Sequence, residues 1–267
     1  MTLPYLGITG VVTPGDVEII RECRAIAPPS HLVMAGVLVS GKTLKHIPVT
    51  NRRYPKIDMA VRLVESLSLI GGVFPAIHYN TGGDDRSLLV QLRDLLDLFK
   101  GFKGFTGGLQ LNVVKPDPSS IRIVREMFPD VKIILQVNGS SIGSRRTPEK
   151  VAEYLRSYTG LMDYALIDFS GGNGKPSSPS LWYDILHHLG PMSKEHNFGL
   201  GVAGGLGPDG GSTILEVHYH GPLEPFSTDV ESKVRVPVSN PIYGEKYQDQ
   251  LDLDLSLAYT RSVGLAL

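Results

Sequence analysis

Short apolar runs, many of them β-branched, alternate with amphipathic stretches from one end of the chain to the other. Eight runs are short enough to be strands buried on both faces: 3–8, 32–39, 72–79, 107–112, 131–137, 163–168, 198–203 and 222–226. After each comes a stretch with apolar residues spaced by three and four, from "GDVEIIRECRAIA" through "KIDMAVRLVESLSLI" and "PEKVAEYLRSY" to "YQDQLDLDLSLAYTR". That spacing lines one face of a helix. Start signals agree: Thr147-Pro148-Glu149 offers a capping hydroxyl, a first-turn proline and an acid favoured by the helix dipole. Eight strand–helix pairs in this order predict an α/β fold, a single (β/α)8 TIM barrel over residues 1–267. Periodicity does not distinguish a closed sheet from an open one, so a doubly wound sheet stays as the alternative.

Composition narrows the function classes. A net charge of -1, with no basic run longer than Arg52-Arg53 or Arg145-Arg146, gives no footprint for nucleic acid. No basic segment precedes a long apolar one and no stretch is long enough to span a bilayer, so a cytoplasmic protein without a membrane partner is expected. The single cysteine, Cys23, can form no intrachain disulfide and is expected to pack in the core. No Cys/His cluster has metal-ligand spacing, so neither a metal nor a cofactor is expected. Homo-oligomerisation is left open.

In a parallel barrel, chemistry gathers where strands run into the following loops. The polar residues at those junctions are Thr9, Ser40, Lys42, His78, Asn80, Gln110, Asn112, Gln136, Asn138, Asp168, Ser227 and Thr228. Gln110 with Asn112, and Gln136 with Asn138, are spaced by two and so share a strand face, as the lining of a hydrogen-bonding pocket would. Amides at strand ends also cap helices and loops, and that reading stands beside the first. Three junctions follow the sixth, seventh and eighth strands, the first two rich in glycine: "FSGGNGK", "AGGLGPDGG" and "FSTDVES". Glycines let backbone amides approach an anion, and the last two junctions lie where this architecture commonly holds phosphate. The longest irregular stretches, 40–55 and 232–246, also follow strands and are expected on the same face.

These motifs, in order, resemble the phosphoribosylanthranilate isomerases over nearly the whole chain. "LGITGVVTPGDV" resembles that family's opening Cys-Gly-Ile-Thr segment, "NRRYP" its Arg-Tyr segment, and "LQLN" its Gln-Leu-His strand end. "LIDFSGGNGK", "AGGLGPDG" and "STDVES" resemble its Asp-ended strand six and its last glycine loops. The resemblance implies an Amadori rearrangement of a small phosphorylated sugar-amine, with Asp168 as general acid. It also implies ligand contacts from Arg53, Gln110, Asn112, Gly171, Gly172, Gly174, Lys175, Gly204, Gly205, Ser227 and Thr228. Three positions depart from the pattern. Leu6 stands where the family has its catalytic cysteine, Asn112 where it often has histidine, and Asp229 at the glycine of the last loop. A carboxylate at 229 repels a phosphate unless it points away or pairs with Lys233. With Leu6 unable to move a proton, His78 is the first candidate base, since an imidazole titrates near neutrality.

Three functional readings follow. One is a divergent isomerase acting on a phosphorylated sugar or sugar-amine, with Lys42 and Arg53 among the residues holding anionic groups. Another is a barrel that binds a ligand without turnover. The last is a barrel enzyme of another class, an aldolase or a hydrolase.

Overall fold

Seven of the apolar runs pair side by side in chain order, and a short polar strand after them meets the first. The computed structural model describes residues 2–99, 107–170 and 177–267. Its elements begin β1 (Tyr5–Thr9), α1 (Pro14–Ile26), β2 (Leu32–Ser40), the single turn α2 (Gly41–Leu44), α3 (Ile57–Ser68), β3 (Val73–Asn80), α4 (Leu88–Asp97) and β4 (Gly108–Leu111). They continue α5 (Pro118–Met127), β5 (Lys132–Asn138), the single turn α6 (Gly139–Ile142), α7 (Pro148–Arg156), β6 (Tyr164–Asp168), α8 (Pro179–His196), β7 (Gly199–Ala203) and α9 (Gly210–Tyr219). The chain closes with β8 (Ser227–Val230), β9 (Arg235–Pro237), β10 (Asp249–Leu251) and α10 (Leu253–Ala266). β1 to β8 are parallel, and β8 returns to β1 with Leu6 beside Thr228 and Gly7 beside Asp229. The sheet is therefore a closed (β/α)8 barrel, not an open doubly wound one.

Local chemistry sets the helix starts. Thr13 and Asp16 form a reciprocal capping box at α1, and Asp117, Thr147, Ser178 and Asp252 each accept an amide at the start of their helix. Behind these caps, the apolar helix faces and the outward strand residues form one large core. Cys23 lies in that layer, where burial pushes its thiol up to about 11 and keeps it out of thiolate chemistry.

Alternation along the strands divides the barrel interior. At the amino-terminal end it is apolar, with Tyr5, Met34, Phe74, Ile134, Tyr164 and Leu166 in one cluster, and the rings of Tyr5 and Tyr164 meet edge-on at 5.1 Å. Nearer the carboxyl end the inward positions become Thr9, His78, Gln110, Gln136, Asp168 and Asp229. The barrel is thus plugged below and polar above.

Two expectations change. Strand eight runs over "STDV" rather than 222–226. Its inward residues are Ser227 and Asp229, and the outward Thr228 is hydrogen-bonded to Tyr259 on α10 (2.8 Å), so no apolar signal marks it. The stretch "YQDQL", taken as the start of the last helix, instead supplies β10, which pairs antiparallel with β9. The two long loops also join each other: Lys246 donates to the carbonyl of Thr50 (2.8 Å), and Arg52 donates to that of Lys246 (3.2 Å).

Candidate functional site at the barrel mouth

A pocket opens at the carboxyl ends of the strands, lined among others by His78, Gln110, Gln136, Asp168, Asp229 and Glu231. Asp168 is held there by three hydrogen bonds. Gln136 Nε2 donates to Oδ2 (2.9 Å), while the Ser170 amide (2.9 Å) and hydroxyl (2.6 Å) donate to Oδ1. Gly204, at φ +94°, lets the loop after β7 pass close by, because a Cβ there would lie 2.7 Å from Asp168 Oδ1. Gly205 follows with φ +83°.

Asp229, read from the sequence only as a departure in the last loop, is itself a pocket residue. Its carboxylate does not face the last loop but points into the barrel, 6% exposed. Thr9 Oγ1 donates to it at 2.9 Å and Gln110 Nε2 at 3.3 Å. Burial is the largest influence on its proton and raises its pKa from 3.8 to about 7; the hydrogen bonds from Thr9 and Gln110 oppose the shift, and Glu231 and Asp168 add to it. The recoverable signal was parity: Asp229 shares a strand face with Ser227, two residues before it.

Room for this carboxylate comes from β1. A Cβ on Gly7 would lie 2.7 Å from Asp229 Oδ1 and 2.9 Å from both Met34 Cε and the Thr228 carbonyl oxygen. Gly7→Ala is therefore expected to destabilise the protein by about 1–3 kcal/mol through overpacking, as read by urea denaturation. Leu6, by contrast, is fully buried in the layer between barrel and helices, near Gly264 of α10. The space beside it belongs to that core, so what β1 shows the pocket is Gly7 and Thr9.

The other expected residues divide between the pocket and its supports. Gln110 and Gln136 line it, linked by a 3.4 Å hydrogen bond, and so complete a chain from Asp229 to Asp168. His78 lines it as well, 7% exposed, and burial holds its imidazole below the usual value, against the pull of Glu231 and Asp168. The amides and hydroxyl one step further out serve the loops. Ser40 caps α2, Asn138 caps α6, and Asn80 donates to Tyr54 and accepts from Gly82. Asn112 and Lys42 are exposed.

Arg53 is buried in an ion network. It donates to both carboxylate oxygens of Asp249 (3.0 and 2.5 Å), to Glu231 (2.7 Å) and to Ser232 (3.1 Å). The resemblance implied ligand contacts from Ser227 and Thr228, with strand eight placed before them at 222–226. Within β8, the Ser227 hydroxyl accepts the Tyr5 amide (3.1 Å) and Thr228 faces α10. Gly171, Gly172, Gly174 and Lys175 lie outside the described residues. Among the described residues, no group of three or more His, Cys, Asp or Glu is placed to hold a metal ion, and no helix is long and apolar enough to cross a membrane.

No protein-family model matches the chain, and no curated protein is similar to it in sequence. Solved structures do match. The phosphoribosylanthranilate isomerase of Pyrococcus furiosus is 18% identical with a TM-score of 0.55, over 97% of this chain and 98% of its own. The enzyme of the same name from Thermococcus kodakaraensis gives the same values. A fructose-bisphosphate aldolase from Campylobacter jejuni is 13% identical with a TM-score of 0.54, over 87% and 72% of the two chains. These likenesses establish the barrel. Isomerases, aldolases and hydrolases share it, so the chemistry has to be argued from the site.

Proposed function

We propose that the chain is an isomerase-type barrel acting on a small phosphorylated sugar or sugar-amine, with Asp229 as general base and Asp168 as general acid. The observation that carries the reading is the carboxyl of Asp229, buried in the pocket against the inner face of β1 and held by Thr9 and Gln110, where burial pushes its pKa up to about 7. The resemblance to the isomerases requires a proton acceptor on that side, and Leu6 does not supply one. A base works best with a pKa near the working pH, and Asp229 meets that condition.

Asp168 gives a proton to the ring oxygen as the bond from that oxygen to C1 breaks, leaving an iminium at C1. Asp229 then takes the proton from C2, and its bonding pair forms C1=C2 as the iminium nitrogen becomes neutral. Tautomerisation of this enaminol gives the aminoketose. The phosphate is assigned to Gly204, Gly205 and Lys233, which also line the pocket and offer glycine amides and a cation.

One observation favours a second reading, a binding barrel without turnover: Asp168 accepts the Ser170 amide, as a loop cap would. The two readings separate when phosphoribosylanthranilate is mixed with the protein and its fluorescence followed. The isomerase reading expects catalysed decay, slowed about a hundredfold or more in both Asp168→Asn and Asp229→Asn with binding retained. Binding without decay in the unmodified protein would leave the second reading.

A further inference from the structure

A polar atom buried without a partner costs about 1–3 kcal/mol, so two of them on one pocket wall mark the chemistry the pocket is built to receive. His78 and Gln110 stand directly opposite each other on β3 and β4, and both line the mouth. Gln110 is 1% exposed. Neither His78 Nδ1 nor Gln110 Oε1 has a hydrogen-bond partner. The Gln110 amide is oriented by its neighbours, because Nε2 donates to Asp229 Oδ2 and Gln136 Oε1, both on residues that line the pocket.

The rest of the wall is also rich in acceptors. Asp168, Asp229 and Glu231 contribute carboxyl groups, and Lys233 is the one cation lining the pocket among the described residues. The neighbouring cations are engaged elsewhere. Arg53 is held by Asp249 and Glu231, while Arg235 donates to Asp249 (2.5 Å) and to the Gly10 carbonyl (2.8 Å). An anionic group at the inner end would meet carboxylates without a counter-charge, whereas a donor-rich cation would satisfy them.

We propose that the inner end of the pocket is an ammonium subsite, which takes the protonated primary amine of an amino sugar between Gln110 Oε1 and the carboxylates of Asp168 and Asp229. His78 Nδ1 then meets an adjacent hydroxyl. The subsite rests on the phosphorylated-sugar reading above and takes an amino group on a carbon other than C1, since a nitrogen on C1 must keep its lone pair to form the iminium; the phosphate then lies outward toward Lys233.

Calorimetric titration with D-glucosamine 6-phosphate, D-glucose 6-phosphate and D-glucosamine tests it. The amino sugar phosphate is expected to bind about ten- to a hundredfold tighter than glucose 6-phosphate, the margin carried by charge-assisted hydrogen bonds. Gln110→Met should cut that preference about tenfold, and where this variant unfolds, the isosteric Asp229→Asn reads the same preference. If glucosamine binds as well as its phosphate, the subsite stands and the phosphate half of the functional reading falls. Equal binding of the two phosphates overturns the subsite while leaving phosphate recognition intact, and failure of all three to bind overturns it as well.

Discussion

Asp229→Asn is expected to stabilise the protein by about 4 kcal/mol above pH 7 and to leave its stability unchanged below pH 4. In the unfolded chain this carboxyl ionises at its ordinary 3.8, but in the folded barrel burial raises it to about 7. Between those values the unfolded state releases a proton that the folded state keeps, so the stability owed to this group falls as pH rises from 4 to 7. Three pKa units, at about 1.4 kcal/mol each, give the magnitude. Asparagine keeps the shape and can still accept from Gln110, but it cannot ionise, so its stability curve lacks this slope. Urea denaturation of both proteins across that range checks the difference. Parallel curves would mean that the carboxylate is solvated or paired in the fold. A carboxyl held at such a cost in a pocket supports the proposed role of Asp229 in proton transfer.

Arg53→Ala is expected to destabilise the protein by about 3–5 kcal/mol, the loss that follows when one partner of a buried ion network is removed. Although burial opposes it, hydrogen bonds from Arg53 and Arg235 hold the Asp249 carboxyl below its ordinary range. Without the Arg53 guanidinium, Glu231 loses its 2.7 Å ion pair at the pocket rim and Asp249 keeps Arg235 alone. The loop carrying Arg53 would also lose its side-chain tie to β10. Were Arg53 instead a ligand contact with no structural partner, alanine would weaken binding and leave the denaturation midpoint unchanged.

The barrel was legible because its first seven strands are apolar on both faces, which is what a parallel sheet covered by helices demands. β8 was not legible for the opposite reason. Ser227 caps the Tyr5 amide, Thr228 bonds α10 and Asp229 enters the pocket, so each residue is buried through a polar partner that no hydrophobic pattern records. Spacing by two correctly placed Gln110 and Gln136 inside the barrel, but it also grouped Asn138 with Gln136, and Asn138 caps a helical turn instead. Parity alone would have turned Leu6 outward. Its match to a catalytic position came from motif order, which is blind to the side of the strand a residue faces. Arg53 could not be read at all, since its partner Asp249 is 196 residues away along the chain.

The protonation of the Asp229 carboxyl is tested most directly by a carbon-13 NMR titration of its side chain, assigned by its loss in Asp229→Asn. A midpoint near 7 is the expected result. A midpoint near 4 would mean that Asp229 is an ordinary solvated acid and would remove both the base and the reason for its burial.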